Sequence, residues 1–148
     1  MPQPNLLKSY TFVFVQFACL GLFAITGPLF PENIILLIVE LFGLLLGVWA
    51  VLTMGLGRFN ITPDPLESSR LVAQGPYSLI RHPMYLALLL VTAPLVTTGL
   101  ILVRAVLWVI LLVDLLLKLN YEEGLLSAQI KGYSEYRQKS YRLIPFIY

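Results

Sequence analysis

The stretch Gly75-Pro76-Tyr77-Ser78-Leu79-Ile80-Arg81-His82-Pro83-Met84-Tyr85 decides how this chain is read. It runs without a break into the apolar segment Leu86 to Val91. Pro83 suits the first turn of a helix, where a missing N–H loses no bond and the fixed φ is already helical. The chain's single histidine, His82, sits immediately before it, with Tyr77 and Tyr85 on either side. Polar groups gathered where a chain enters a bilayer are costly to hold and mark functional positions. The stretch therefore reads as a ligand site at a membrane surface.

Composition supplies the membrane. Of 148 residues, 58% are hydrophobic and 12% charged, with a mean hydropathy of +0.83. A soluble domain carries about 25% charged residues, so this chain lacks the polar side chains to cover a water-facing surface. The length fits a single membrane domain, residues 1–148. A net charge of +2 is too small to call for nucleic acid. The lone Cys19 excludes an internal disulfide and a cysteine metal cluster, and it reads as a packed apolar residue. The first apolar run has no convincing small-residue cleavage site after it and reads as a retained helix.

Working outward, the spacing predicts a first helix from Ser9 to Ile25, interrupted by Thr11 and Gln16 alone. Gly27-Pro28 and Pro31 mark a turn. Asn33 is the expected N-cap of a second helix, Ile34 to Leu56, long enough to span. Glu40 lies inside it, read either as functional or as a carboxyl neutralised against a neighbouring helix. Residues 1–57 thus form two scaffold helices, and 58–148 a ligand-binding half opened by a long irregular connection, 58–82. A third helix is expected from Pro83 to Thr97, kinked at Pro94. Thr97-Thr98-Gly99 allows a tight turn into a fourth, Leu100 to Asn120. Tyr121 to Tyr148 is a polar, amphipathic segment. The fold class is all-α: four transmembrane helices, the last two an antiparallel hairpin, and a C-terminal amphipathic segment.

Four crossings put both termini and the 58–82 connection on one side. That side holds Lys8, Arg58, Arg70, Arg81, Lys118, Lys131, Arg137, Lys139 and Arg142, against Arg104 on the other. By the positive-inside rule the crowded side is cytoplasmic. Small size and minimal loops match a prokaryotic inner membrane.

The short hairpin returns the chain to His82, so Glu122 and Glu123 are expected beside His82 and Tyr85. Carboxylates accept from an ammonium, Arg81 and His82 can take a carboxylate, and tyrosine faces suit a ring or sulfonium. S-adenosylmethionine fits those groups. Zinc does not, with one histidine and no soft partner, so no metal is expected. Structural readings stand beside these: Arg81 snorkelling, Tyr85 in an aromatic belt, Lys118 with Glu122 or Asp114 as helix ion pairs.

Gly75-Pro76-Tyr77, Arg81-His82-Pro83-Met84-Tyr85, Glu122-Glu123, Tyr133-x-x-Tyr136 and Arg142-Leu143-Ile144-Pro145 together resemble the membrane methyltransferases. These include isoprenylcysteine carboxyl methyltransferase and the phospholipid N-methyltransferases. The resemblance covers roughly residues 69–147. It implies an S-adenosylmethionine pocket open to the cytosol, contacted by Ser69, Leu71, Val72, Tyr77, His82, Pro83, Tyr85 and Glu122. It implies a lipid-like acceptor arriving sideways from the bilayer. Ala87 stands where the family often has glycine, and Lys118 where the carboxyl methyltransferases tend to carry arginine. A Phe-Gly pair expected before Tyr133 is absent.

The expected chemistry is methyl transfer from a sulfonium to a lipid-like acceptor. A carboxylate acceptor needs no base, and Lys118 or Arg142 would orient it. An amine acceptor must lose a proton, to Glu123 or a tyrosine. Two other readings remain open: a non-catalytic membrane protein that keeps the fold, and a reductase, for which this chain offers little room.

Overall fold

The computed structural model describes residues 5–55, 62–64 and 71–148. Among them the chain is all-helical: α1 (Leu6–Ile25), α2 (Ile34–Met54), a 3-10 turn (Gly75–Ser78), α3 (Pro83–Leu95), α4 (Ile101–Gln129) and α5 (Tyr133–Lys139). α1 starts earlier than Ser9 because the Asn5 side chain accepts from Lys8 N at 3.1 Å and caps the first turn. Asn33 caps α2 as expected, accepting from Ile35 N and Leu36 N at 2.9 and 3.3 Å. α3 opens on Pro83 and carries Pro94 in its last turn.

The fourth helix does not stop at Asn120. It continues to Gln129, because Tyr121 to Gln129 contains no proline and one exposed glycine, Gly124. Glu122 and Glu123 therefore ride on a rigid helix that projects past the apolar layer. Among the described residues two helices, α1 and α2, are long and apolar enough to cross a membrane. Four were expected. α3 has 13 residues, about 20 Å at 1.5 Å per residue. α4 has 29 residues, but Arg104, Asp114 and Lys118 interrupt its apolar run.

The core is a stripe on α4, Leu107, Leu111, Leu115 and Leu119, which meets Cys19 and Phe23 of α1 and Leu89 and Leu95 of α3. A spacing of four keeps those leucines on one face. α2 lies along α3 and against the 3-10 turn. Close approach of α2 and α3 depends on Gly43: a Cβ there would sit 2.9 Å from Leu90 Cβ and 3.0 Å from Val91 N. Outward faces carry exposed Phe14, Ile38, Leu45, Leu102 and Val109, a surface suited to lipid rather than water.

Arg104 turns inward rather than marking the outer loop side. Its guanidinium is fully buried and donates to the carbonyls of Phe23, Pro28 and Leu95 at 2.6, 2.8 and 2.9 Å. It also donates to the Thr98 hydroxyl and, at 3.1 Å, to Thr26 Oγ1. One side chain thereby ties the α1–α2 turn to the α3–α4 turn. Gly99, with φ 59°, lets those turns touch, since a Cβ there would lie 2.5 Å from Thr26 O.

Candidate active site

The segment before α3 is held open by the C-terminus. Ile80 and Tyr141 form a parallel bridge, with Arg81 N donating to Tyr141 O at 2.8 Å and His82 N to Arg142 O at 3.1 Å. These bonds fix the backbone from which Arg81 and His82 project. Arg81 then turns toward α4, where its Nε meets Glu123 Oε1 at 2.6 Å. Its Nη1 donates to Arg137 O at 3.0 Å and to the Ser140 carbonyl. Arg142 closes on the same carboxylate through Nε and Nη2, at 3.1 and 2.9 Å from Glu123 Oε2. The Glu123 side chain is 2% exposed. Burial raises its carboxyl, but the imidazole of His82, 3.5 Å away, and the Arg81 guanidinium bonded to it outweigh that and hold it at about 2. Burial alone lowers the Arg142 guanidinium, yet its bonds to Glu123 and Tyr148 more than reverse this and raise it.

Glu122, the next residue along α4, takes a different part. Tyr85 OH donates to Glu122 Oε2 at 2.6 Å, and His82 Nδ1 lies 3.6 Å from the same oxygen. The His82 and Tyr85 rings stack, with centroids 5.2 Å apart and planes 10° from parallel. The proximity of the glutamate pair to His82 and Tyr85, expected from the short hairpin, is present.

A cavity of about 660 Å³ joins this polar cluster to an apolar groove between α2 and α3. Leu71, Val72, Tyr77, His82, Pro83, Tyr85, Glu122 and Lys118 all line it. Glu123 and Arg142 do not; they lie behind the wall, bonded to each other. Ser69 falls outside the described residues. Gly43, Gly47, Val48 and Leu52 of α2 form the apolar side, a wall that the resemblance implies for the first two helices.

Three further side chains contribute. Gln16 of α1 lines the cavity and accepts from Lys118 Nζ at 2.8 Å. Asp64, from the irregular connection, also lines it and accepts from Ser9 Oγ at 2.9 Å and from Tyr121 OH at 3.3 Å. Tyr136 OH donates to Tyr77 O at 2.6 Å and so braces the 3-10 turn from α5. None of these pairings has a local sequence signal; Gln16 in an apolar helix was the one visible clue.

The hydroxyls of Tyr77 and Tyr133 are buried with no hydrogen-bond partner among the described residues, and both residues line the cavity. Burial, followed by the nearby glutamates, raises both phenols. Tyr136 is pushed up to about 12, chiefly by burial. All three stay protonated at neutral pH and serve as donors, not bases. Two buried donors left without an acceptor are costly.

A family comparison places the chain. The sequence matches the Isoprenylcysteine carboxyl methyltransferase (ICMT) family over residues 34–128. The chain belongs to that family. It is therefore a member of a membrane methyltransferase family, and α1 and α2 are apolar enough to span. The match begins at α2, upstream of the 69–147 stretch that carries the motif resemblance, and ends before Tyr133 and Arg142. No curated protein matches the chain. The polar cluster and the groove are two ends of one cavity.

Proposed function

We propose that this protein transfers the methyl group of S-adenosylmethionine to the carboxylate of a prenylcysteine-like lipid at the cytoplasmic membrane face. The observation that carries this reading is the single cavity that runs from Glu122, Tyr85 and His82, past Lys118, into the apolar α2–α3 groove. A cationic, aromatic cofactor suits the first part, and a lipid tail the second. In this arrangement all four apolar helices cross the bilayer, the 13-residue α3 pairing with α4 as the hairpin, and both termini are cytoplasmic.

S-adenosylmethionine supplies a methyl group on a sulfonium; the new O–C bond forms as the C–S pair returns to sulfur. The protein's residues do the rest. Glu122 accepts from the cofactor's ammonium or hydroxyls while Tyr85 holds the carboxylate in place. The free phenols of Tyr77 and Tyr133 donate to cofactor acceptors. Leu71 and Val72 offer backbone groups, and His82 and Tyr85 an aromatic stack. Pro83 starts α3 in the cavity wall and so sets where Tyr85 leaves the helix. Lys118 holds the acceptor carboxylate, and the surrounding apolar walls exclude water, so alignment and a dry site supply the rate. Glu123 and Arg142, read from sequence as possible catalytic groups, instead brace Arg81 and His82 from behind.

Neither base considered for an amine acceptor, Glu123 or a tyrosine, is placed to take its proton, and Lys118 in the lining suits a carboxylate. The three tyrosines hold their protons, and Glu123 is bound by arginines. The test is incubation of purified protein with methyl-labelled cofactor and an N-acylated prenylcysteine, whose amine is blocked. We expect label in a base-labile ester. Base-stable label with a phospholipid amine, and none in the ester, would overturn the carboxylate assignment.

A further inference from the structure

Gln16 is the one amide in the apolar interior of α1, and it is buried. A glutamine there is costly unless its groups are used. Its oxygen is used: Lys118 Nζ donates to Gln16 Oε1 at 2.8 Å. An ammonium only donates, so the oxygen must face Lys118, and that fixes which way the amide points. The NH2 group makes no hydrogen bond among the described residues, and Gln16 lines the cavity beside Lys118.

Other groups around Lys118 support the same geometry. The Tyr85 ring lies 5.4 Å from Nζ. Asp114, one helical turn earlier, is buried and is not among the cavity-lining residues, so its charge balances the ammonium from behind. Glu122, one turn later, is held by Tyr85. Lys118 and Gln16 thus place two nitrogen donors side by side in the cavity lining.

We propose that Gln16 is a specificity-determining residue, its amide NH2 donating to the acceptor carboxylate alongside Lys118. This rests on the methyltransferase reading above. A carboxylate offers acceptor oxygens alone and satisfies both donors; an ammonium satisfies neither and meets like charge. α1 is then part of the acceptor site rather than only a wall.

The test separates donation to substrate from mere support of Lys118. Gln16→Leu removes both functions; Gln16→Glu keeps the bond to Lys118, as an ion pair, but replaces the donor with a second acceptor. Kinetics are read with an N-acylated prenylcysteine, and S-adenosylhomocysteine binding by calorimetry confirms a folded site. We expect the acceptor KM to rise roughly tenfold or more in Gln16→Leu and further in Gln16→Glu, with S-adenosylhomocysteine affinity within about twofold of wild type. An acceptor KM in Gln16→Glu equal to or below wild type, with cofactor binding intact, overturns the proposal and leaves Gln16 as a support for Lys118. Failure of wild-type protein to bind S-adenosylhomocysteine contradicts the methyltransferase reading itself, a different outcome.

Discussion

At the scale of single residues, two adjacent glutamates divide the work of one site. Glu122 and Glu123 are consecutive, so on a helix they point about 100° apart. Glu122 faces the cavity; Glu123 faces the arginines of the C-terminal segment. The account predicts different failures. Glu122→Gln should weaken S-adenosylhomocysteine binding by roughly tenfold, the scale of one charge-assisted hydrogen bond, with the melting temperature little changed. Titration calorimetry beside a thermal melt reads both, and unchanged affinity would remove Glu122 from the cofactor site. The sequence showed the pair and its neighbourhood because hairpin length alone brings it to His82. Spacing alone does not show which glutamate faces inward, since that depends on the phase of α4 where it continues past Asn120; the family resemblance singles out Glu122. Arg81 illustrates the same limit: its residue type suits a ligand carboxylate, but the nearest carboxylate is Glu123 of its own chain.

At the scale of elements, glycine placement separates packing from filler. Gly43 touches the α3 backbone, with a Cβ there 3.1 Å from Ala87 O and 3.0 Å from Val91 N. Gly124, in the α4 extension, has nothing within 4 Å. Gly43→Ala should therefore destabilise the protein by about 1–3 kcal/mol through overpacking, while Gly124→Ala should stabilise it by about 0.5–1 kcal/mol. Thermal unfolding in detergent checks both; equal effects of the same sign would contradict the α2–α3 contact. Helix starts were the most legible part of the sequence. Asn33 and Pro83 announce them through side-chain capping and a fixed φ. The end of α4 was not legible, because Asn120-Tyr121-Glu122-Glu123 looks like a polar exit when it is the continuation of a helix into water. Arg104 was read as a loop-side charge; its inward turn depends on carbonyls from two distant turns that no local pattern reveals.

At the scale of the whole molecule, the C-terminal segment is fastened to the membrane helices by one ion cluster. Arg81, Arg142 and, at 3.7 Å, Arg137 converge on Glu123. A carboxyl held at about 2 in the folded protein contributes stability that is complete above its ordinary unfolded value and is lost as pH falls toward 2. Between roughly pH 4.5 and pH 2, wild type should lose its advantage over Glu123→Gln. Melting temperatures measured across that range should converge; a constant gap would mean that the cluster does not fasten the segment. The cluster also explains how the cavity keeps its shape. Arg81 and His82 are set by the C-terminal bridge on one side and by α4 on the other.

The central claim is that the cavity built around His82, Tyr85 and Glu122 binds the methyl-donor cofactor. Calorimetric titration of detergent-purified wild type and His82→Ala with S-adenosylhomocysteine tests it most directly. The account predicts saturable binding by wild type and its loss, or a fall of tenfold or more, in a variant that still melts cooperatively. No binding by folded wild type, or equal binding by both proteins, would contradict it.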